Sequence, residues 1–212
     1  MTKIIFVAHA DDGVLGCGGT IAKLIRQKEK VIVVVLFSEE NNHTLLDTSI
    51  LKERKTKEAK RAFGLLGCNN IIFLGLKELK IKKQIKNSKV INKIEKILEK
   101  YKPYTIFTHA PDDPHPAHRI VTELIKKMLI KSKQKIEIYT FTISTPFRLI
   151  KRNRPKLYID ISKTYKLKNK ALEMFKSQRS FMLYYKSIVW LRNWLGGFKA
   201  GSKYAEVFTK DK

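Results

Sequence analysis

The sequence predicts an α/β fold: one mostly parallel sheet with helices over both of its faces. Short β-branched apolar runs recur along the 212 residues, and amphipathic stretches separate them, the pattern of repeated βαβ units. Two dense polar clusters, His9-Ala10-Asp11-Asp12 and Asp113-Pro114-His115-Pro116-Ala117-His118, each follow one of those runs. In a parallel sheet the carboxyl ends of the strands open on a common crevice, so the two clusters are expected to build one site.

Lys3 to Val7 reads as the first strand and Gly18 to Gln27 as the start of a helix. Val31 to Phe37 is β-branched enough for a central strand buried on both faces. Ser38 to Asp47 is polar and aperiodic, a loop at the carboxyl edge, before a helix over about Leu51 to Leu66 that Gly67 ends. Ile71 to Leu74 is a third strand, and Val90, Ile91, Ile94, Ile97 and Leu98 mark one helix face. Tyr104 to Thr108 precedes the second cluster, and Ile120, Val121, Leu124, Ile125, Met128 and Leu129 place His118 near a helix start. Ile136 to Phe141 and Leu157 to Ile161 complete the strands, with a Pro/Arg-rich connection between them, and a helix spans about Tyr165 to Lys176.

No break in composition divides the chain, so one domain over 1–212 is expected. Its aromatic segment 179–212, with Tyr184, Tyr185, Trp190, Trp194, Phe198 and Tyr204, suits core packing. The alternative is a sugar-stacking rim near the active site, with Gly196-Gly197 and Gly201 allowing a mobile loop. Cys17 and Cys68 are far apart and fit free thiols in a reducing compartment. Without a cleavable leader or a membrane-spanning apolar run, a cytoplasmic protein is expected.

The net charge of +25 could attract nucleic acid, anionic lipid or an anionic substrate. The lysines are spread over nearly every expected helix, which fits solvated faces in an isoleucine- and asparagine-rich chain. No recognition helix or base-stacking motif supports nucleic acid as a partner. A homo-oligomer is compatible with the sequence.

Histidine nitrogen and carboxylate oxygen are common ligands of zinc, and other divalent ions suit the same donors. His9, Asp12 and His118 supply two nitrogens and one oxygen. Asp11 and His115 are then left beside the metal for acid and base work: Asp11 to take a proton from attacking water, and His115 to stabilise an oxyanion. Each has an inert reading as well, since His-x-x-His also occurs at helix ends and Asp-Asp pairs in turns. His43 and His109 are assigned to loop and packing roles, with His109 a candidate to support a ligand from behind. Gly16-Cys17-Gly18-Gly19 lacks dinucleotide-binding spacing. These glycines are expected to turn the backbone tightly behind the ligands and to pack the helix on the sheet.

Ala8-His9-Ala10-Asp11-Asp12 with the glycines after it, and His115-Pro116-Ala117-His118, resemble the two motifs of the LmbE-like deacetylases, which include the phosphatidylinositol glycan N-acetylglucosamine de-N-acetylases. Glu58, Ala62, Leu66-Gly67, Asp160-Ile161-Ser162, Lys170-Ala171-Leu172, Ser177-Gln178 and Tyr204 to Phe208 extend the similarity over nearly the whole chain. The resemblance implies a Rossmann-like three-layer α/β/α fold with zinc on His9, Asp12 and His118. It implies Asp11 as general base, His115 as electrophilic or acid partner, and Arg54 as a substrate-binding residue. The reaction implied is removal of N-acetyl from an amino sugar, glycoside or glycolipid headgroup, with an anionic aglycone suited to the basic surface.

Three departures from the family pattern stand out: Ala10 for proline, Gly13 for glutamate and Ala117 for an aspartate that would flank His115. The last two are expected to remove negative charge near the site and to make His115 easier to deprotonate. The competing readings are a metal- or anion-binding protein that has lost turnover, and a hydrolase of a different small amide.

Overall fold

The computed structural model describes residues 1–38, 48–78, 88–131, 135–145 and 154–211. His43, most of the expected 38–47 loop and most of the Pro/Arg-rich connection fall outside them. The strands are β1 (Thr2–Val7), β2 (Lys30–Ser38), β3 (Ile71–Lys77), β4 (Thr105–His109), β5 (Glu137–Phe141), β6 (Lys156–Asp160) and β7 (Ala205–Lys210). The helices are α1 (Ala10–Arg26), α2 (Thr48–Leu65), α3 (Ser88–Tyr101), α4 (Pro116–Lys131), α5 (Tyr165–Leu172) and α6 (Arg179–Ala200). The sheet runs β3-β2-β1-β4-β5-β7-β6. Pairings from β3 through β5 are parallel, whereas β7 lies antiparallel to both β5 and β6.

The period-2 geometry of strands divides the core into two layers. Ile5, Val7, Val33, Val35 and Phe107 face α1, α2, α5 and α6, while Ile4, Phe6, Ile32, Val34, Leu36 and Ile106 face α3 and α4. This is the α/β fold that the alternating runs predict. The connections from β1 and β4 leave the sheet on opposite faces, and these strands are neighbours, so a crevice opens beyond their ends. Both polar clusters stand there.

Two local expectations change. α1 begins at Ala10 rather than near Gly18, because the Asp12 carboxylate accepts the His9 backbone N–H at 2.8 Å and secures the helix start. The glycines therefore lie inside a helix rather than in a turn. They serve close packing: a Cβ on Gly16 would come within 2.4 Å of the Phe141 ring, and one on Gly19 within 2.7 Å of Ile161. Likewise Gly196 and Gly197 belong to α6 and let its backbone approach Ala205 and Lys203. The helix ends at Gly201, whose φ of 65° is left-handed. Cys17 and Cys68 are buried free thiols.

α1 is held at its middle by a buried ion pair. Lys168 Nζ donates to Glu206 Oε1 at 2.6 Å, Leu15 O at 2.8 Å and Asn193 Oδ1 at 3.0 Å. Glu206 in turn accepts the backbone N–H groups of Gly19 and Thr20 at 3.0 and 2.8 Å. The network ties α5, α6 and β7 to the helix that begins at the site. Removing one partner of such a pair leaves a buried charge without compensation. Lys168→Met is therefore expected to cost about 3–5 kcal/mol in denaturant unfolding, and Lys168→Met with Glu206→Gln to recover part of that loss.

Candidate metal centre

His9 is the extended residue before α1, and Asp12 lies one turn into the helix, so both side chains face the crevice at the end of β1. His115 and His118 flank the start of α4 beyond β4. Asp12 Oδ2 lies 3.4 Å from His9 Nδ1 and 3.3 Å from His118 Nε2. Four ligands at zinc bond lengths in a tetrahedron stand about 3.3–3.4 Å apart, so these separations already match two tetrahedron edges. One donor atom each from His9, Asp12 and His118 falls within 4.8 Å of the others.

The far nitrogen of each imidazole meets a carboxylate. His118 Nδ1 lies 2.9 Å from Asp113 Oδ1, and His9 Nε2 lies 3.0 Å from Glu78 Oε2. Each carboxylate holds an N–H on the far nitrogen and so leaves the near nitrogen, which faces Asp12, as the one an ion would take, the arrangement that orients metal-binding histidines. Asp113 also accepts from the His115 backbone N–H at 3.0 Å and from Ser144 Oγ at 2.7 Å. His109 lies behind His118, stacked at 3.9 Å and 6° between ring planes. Its Nε2 accepts the Ala8 N–H at 3.0 Å.

The electrostatics follow from burial and these pairings. Burial opposes ionisation of Asp12, yet His118 and His9 hold its carboxyl well below the usual range. Burial also disfavours charge on His118, but Asp12 and Asp113 outweigh it and raise its pKa to about 9. His115 moves the other way, lowered by burial and then by His118 and His9, so it is neutral at pH 7. Its ring centroid is 4.6 Å from that of His118 and 5.8 Å from that of His9.

These groups form one wall of a cavity of about 340 Å³ that also exposes Asp11, Lys55, Gln178, Phe181 and Tyr185. Asp11 accepts the Asp12 backbone N–H at 3.0 Å and sits at the positive end of α1, where a carboxylate is favoured. Burial and the nearby Asp12 and Asp11 raise the Tyr185 pKa, so its hydroxyl stays a donor. The structure thus gathers His9, Asp11, Asp12, His115 and His118. It does not bring Arg54 to them: that side chain meets Glu58 at 3.3 Å and lines a separate hollow with Arg61 and Met174. Its neighbour Lys55 is the cation that reaches the cavity.

The departures at 13 and 117 are packing exchanges. A Cβ on Gly13 would come within 2.9 Å of the Phe63 ring, which fills the space a side chain there needs. Ala117 is buried in the apolar layer with Ile4, Phe6 and Ala8. The His115 pKa is lowered, the direction expected, with burial, His118 and His9 as its causes, while Asp113 and Glu78 place carboxylates against His118 and His9. Asp113 was visible in the second cluster but carried no signal distinguishing it from a turn residue. Glu78 follows the third strand without any motif.

The sequence pattern of the PIG-L family, GlcNAc-PI de-N-acetylase, matches residues 4–129. The N,N'-diacetylchitobiose deacetylase of Pyrococcus horikoshii is 24% identical, aligns over 99% of this chain and 83% of its own, and has a TM-score of 0.81. The 4-carboxy-2-hydroxymuconate hydratase of Pseudomonas putida is 20% identical over 100% and 96% of the two chains, with a TM-score of 0.82. A deacetylase of teicoplanin biosynthesis is 14% identical over 99% and 97%, with a TM-score of 0.79.

Because His118 of the metal-free protein is protonated at pH 7, an ion taking its Nε2 must displace that proton. Zinc titration calorimetry in buffers of different ionisation enthalpy is expected to read about one proton released from His118 per ion at pH 7, with the release fading above pH 9. Glu78→Gln and Asp113→Asn are each expected to weaken zinc affinity about 10–100-fold in the same titration.

Proposed function

Since the chain belongs to the PIG-L family of GlcNAc-PI de-N-acetylases, we propose that it is a zinc-dependent hydrolase that removes the N-acetyl group from an N-acetylglucosamine-type sugar, glycoside or glycolipid headgroup. The observation that carries this reading is the pair of imidazoles whose far nitrogens each meet a carboxylate while their near nitrogens converge on buried Asp12. His9, Asp12 and His118 would hold the ion. When bound, a divalent ion supplies Lewis acidity toward an acyl oxygen and lowers the pKa of water to about 7.

Asp11 lies beside the ligands without being one of them, and its carboxylate takes a proton from the attacking water. His115, kept neutral by burial, retains one N–H and donates it to the oxygen on which negative charge develops. Collapse of the tetrahedral carbon breaks the C–N bond, and Asp11 returns its proton to the departing nitrogen. Acetate and a free amine result. Lys55 and Tyr185 offer a cation and a hydroxyl to the sugar or its anionic aglycone. Phe181 offers an apolar face at the mouth. We assign substrate contact to Lys55 in place of Arg54, and read the chain as one cytoplasmic domain in which the first turns of α6 form part of the rim.

A second reading has a specific motive. The similar hydratase of Pseudomonas putida shows that this fold also hosts addition of water to a different kind of bond. The same Asp11 could then serve water addition to an unsaturated acid.

Acetate release from N-acetylglucosamine derivatives, measured before and after chelation and zinc restoration, tests the proposal. Turnover that returns with zinc and falls about 10²–10⁴-fold in Asp11→Asn is expected. Lys55→Ala is expected to raise KM, and Arg54→Ala to leave it unchanged. Stoichiometric zinc binding with no acetate from any derivative, together with hydration of an unsaturated tricarboxylate, would shift the assignment to the hydratase reading.

A further inference from the structure

α6 runs from the site cavity across the protein surface, and its outward face has the wrong chemistry for a solvated helix. Leu183, Trp190, Trp194 and Phe198 fall on one stripe and are 67%, 48%, 46% and 79% exposed. Met182, Val189, Asn193 and Gly196 point the other way and are buried, so the helix is already docked through its opposite side. Trp190 and Trp194 stack at 6.3 Å and 11°, which joins the stripe into one surface. Of the helix's cations, Arg179 and Lys186 flank the stripe while Arg192 and Lys199 stand on the other side, and the helix has no carboxylate.

Next to the stripe, between α5 and the start of α6, lies a hollow of about 580 Å³. Leu172, Phe175 and Met182 floor it, and Lys176, Arg179 and Lys186 line its rim. Lys186 also meets Glu173 at 3.1 Å. An apolar floor under a cationic rim suits a molecule with an acyl chain and a phosphate. We infer that the α6 face docks on an anionic bilayer surface, with the aromatic stripe entering the headgroup boundary and the flanking cations meeting lipid phosphates. The net charge of +25 is complementary to such a surface and opposes a second copy of the same chain. No helix among the described residues is long and apolar enough to cross a membrane, so the contact would be interfacial. Ser180, Phe181 and Tyr185 of the same helix line the site cavity, with Phe181 and Tyr185 about half a turn away from the stripe, so docking through the stripe leaves the cavity uncovered. The inference does not depend on the reaction assigned to that site.

Both tryptophans of the chain lie on this face, so tryptophan emission, excited beyond the tyrosine absorption band, reports on it alone. With the full chain and vesicles of phosphatidylcholine and phosphatidylglycerol, a blue shift and co-sedimentation that added salt weakens are expected. Phosphatidylcholine vesicles alone are expected to give neither. Leu183→Asp with Phe198→Asp keeps both tryptophans and should weaken partition at least about tenfold. Arg179→Glu, a single exposed change, should weaken it for anionic vesicles as well. Four results would overturn the inference: no binding; binding without a tryptophan shift or untouched by these variants, which would place the contact on lysines elsewhere; equal binding to neutral vesicles; or a tryptophan shift without lipid that follows dimer formation in sedimentation, which would give the face to a second copy.

Discussion

The buried Asp12 carboxylate is the constraint on which the rest of the site depends. A carboxylate taken out of water loses several kcal/mol of hydration unless charges and donors replace it. Asp12 Oδ2 obtains that replacement from the His9 N–H and from the imidazoles of His9 and His118 at 3.3–3.4 Å. Those groups come from the end of β1 and from the start of α4 beyond β4. One oxygen thus joins two strand ends that are more than a hundred residues apart in sequence. The same bond to His9 starts α1, so the helix and the site form together.

Farther along α1, the Lys168 and Glu206 pair performs the corresponding task for the helix body. Glu206 accepts two α1 backbone N–H groups beside the glycines, and Lys168 accounts for its charge. The glycines allow this contact because Phe141 and Ile161 press against the helix where side chains would otherwise stand. The position of Asp11 and Asp12 is consequently set by contacts to β5, β6 and β7 as well as by their own strand end.

The carboxylates that face the imidazoles come from outside positions 13 and 117. Phe63 fills the space beside Gly13, and Ala117 joins the apolar layer under the sheet. Carboxylates then reach the imidazoles from Glu78 and Asp113, one beyond β3 and one beyond β4. α6 shows a related division of labour within one element. Its first turns line the cavity, its inner stripe packs on the core, and its outer stripe is left to an external surface.

The sequence by itself determined the α/β class, six of the seven described strands and the two polar clusters that hold His9, Asp11, Asp12, His115 and His118, because strand periodicity and local clustering are both short-range signals; β7, inside the aromatic segment, was not among them. It also suggested an aromatic rim; Phe181 and Tyr185 line the cavity, while Trp190, Trp194 and Phe198 turn outward. Only the tertiary structure decided that α1 starts at Ala10, that Glu78 and Asp113 orient the histidines, and that Lys55 rather than Arg54 reaches the cavity. Each of these depends on which side chains meet across elements distant in sequence. Spacing along one chain cannot specify such meetings, because they are set by the register of β1 against β4 and by the seating of α2 and α6 on the sheet.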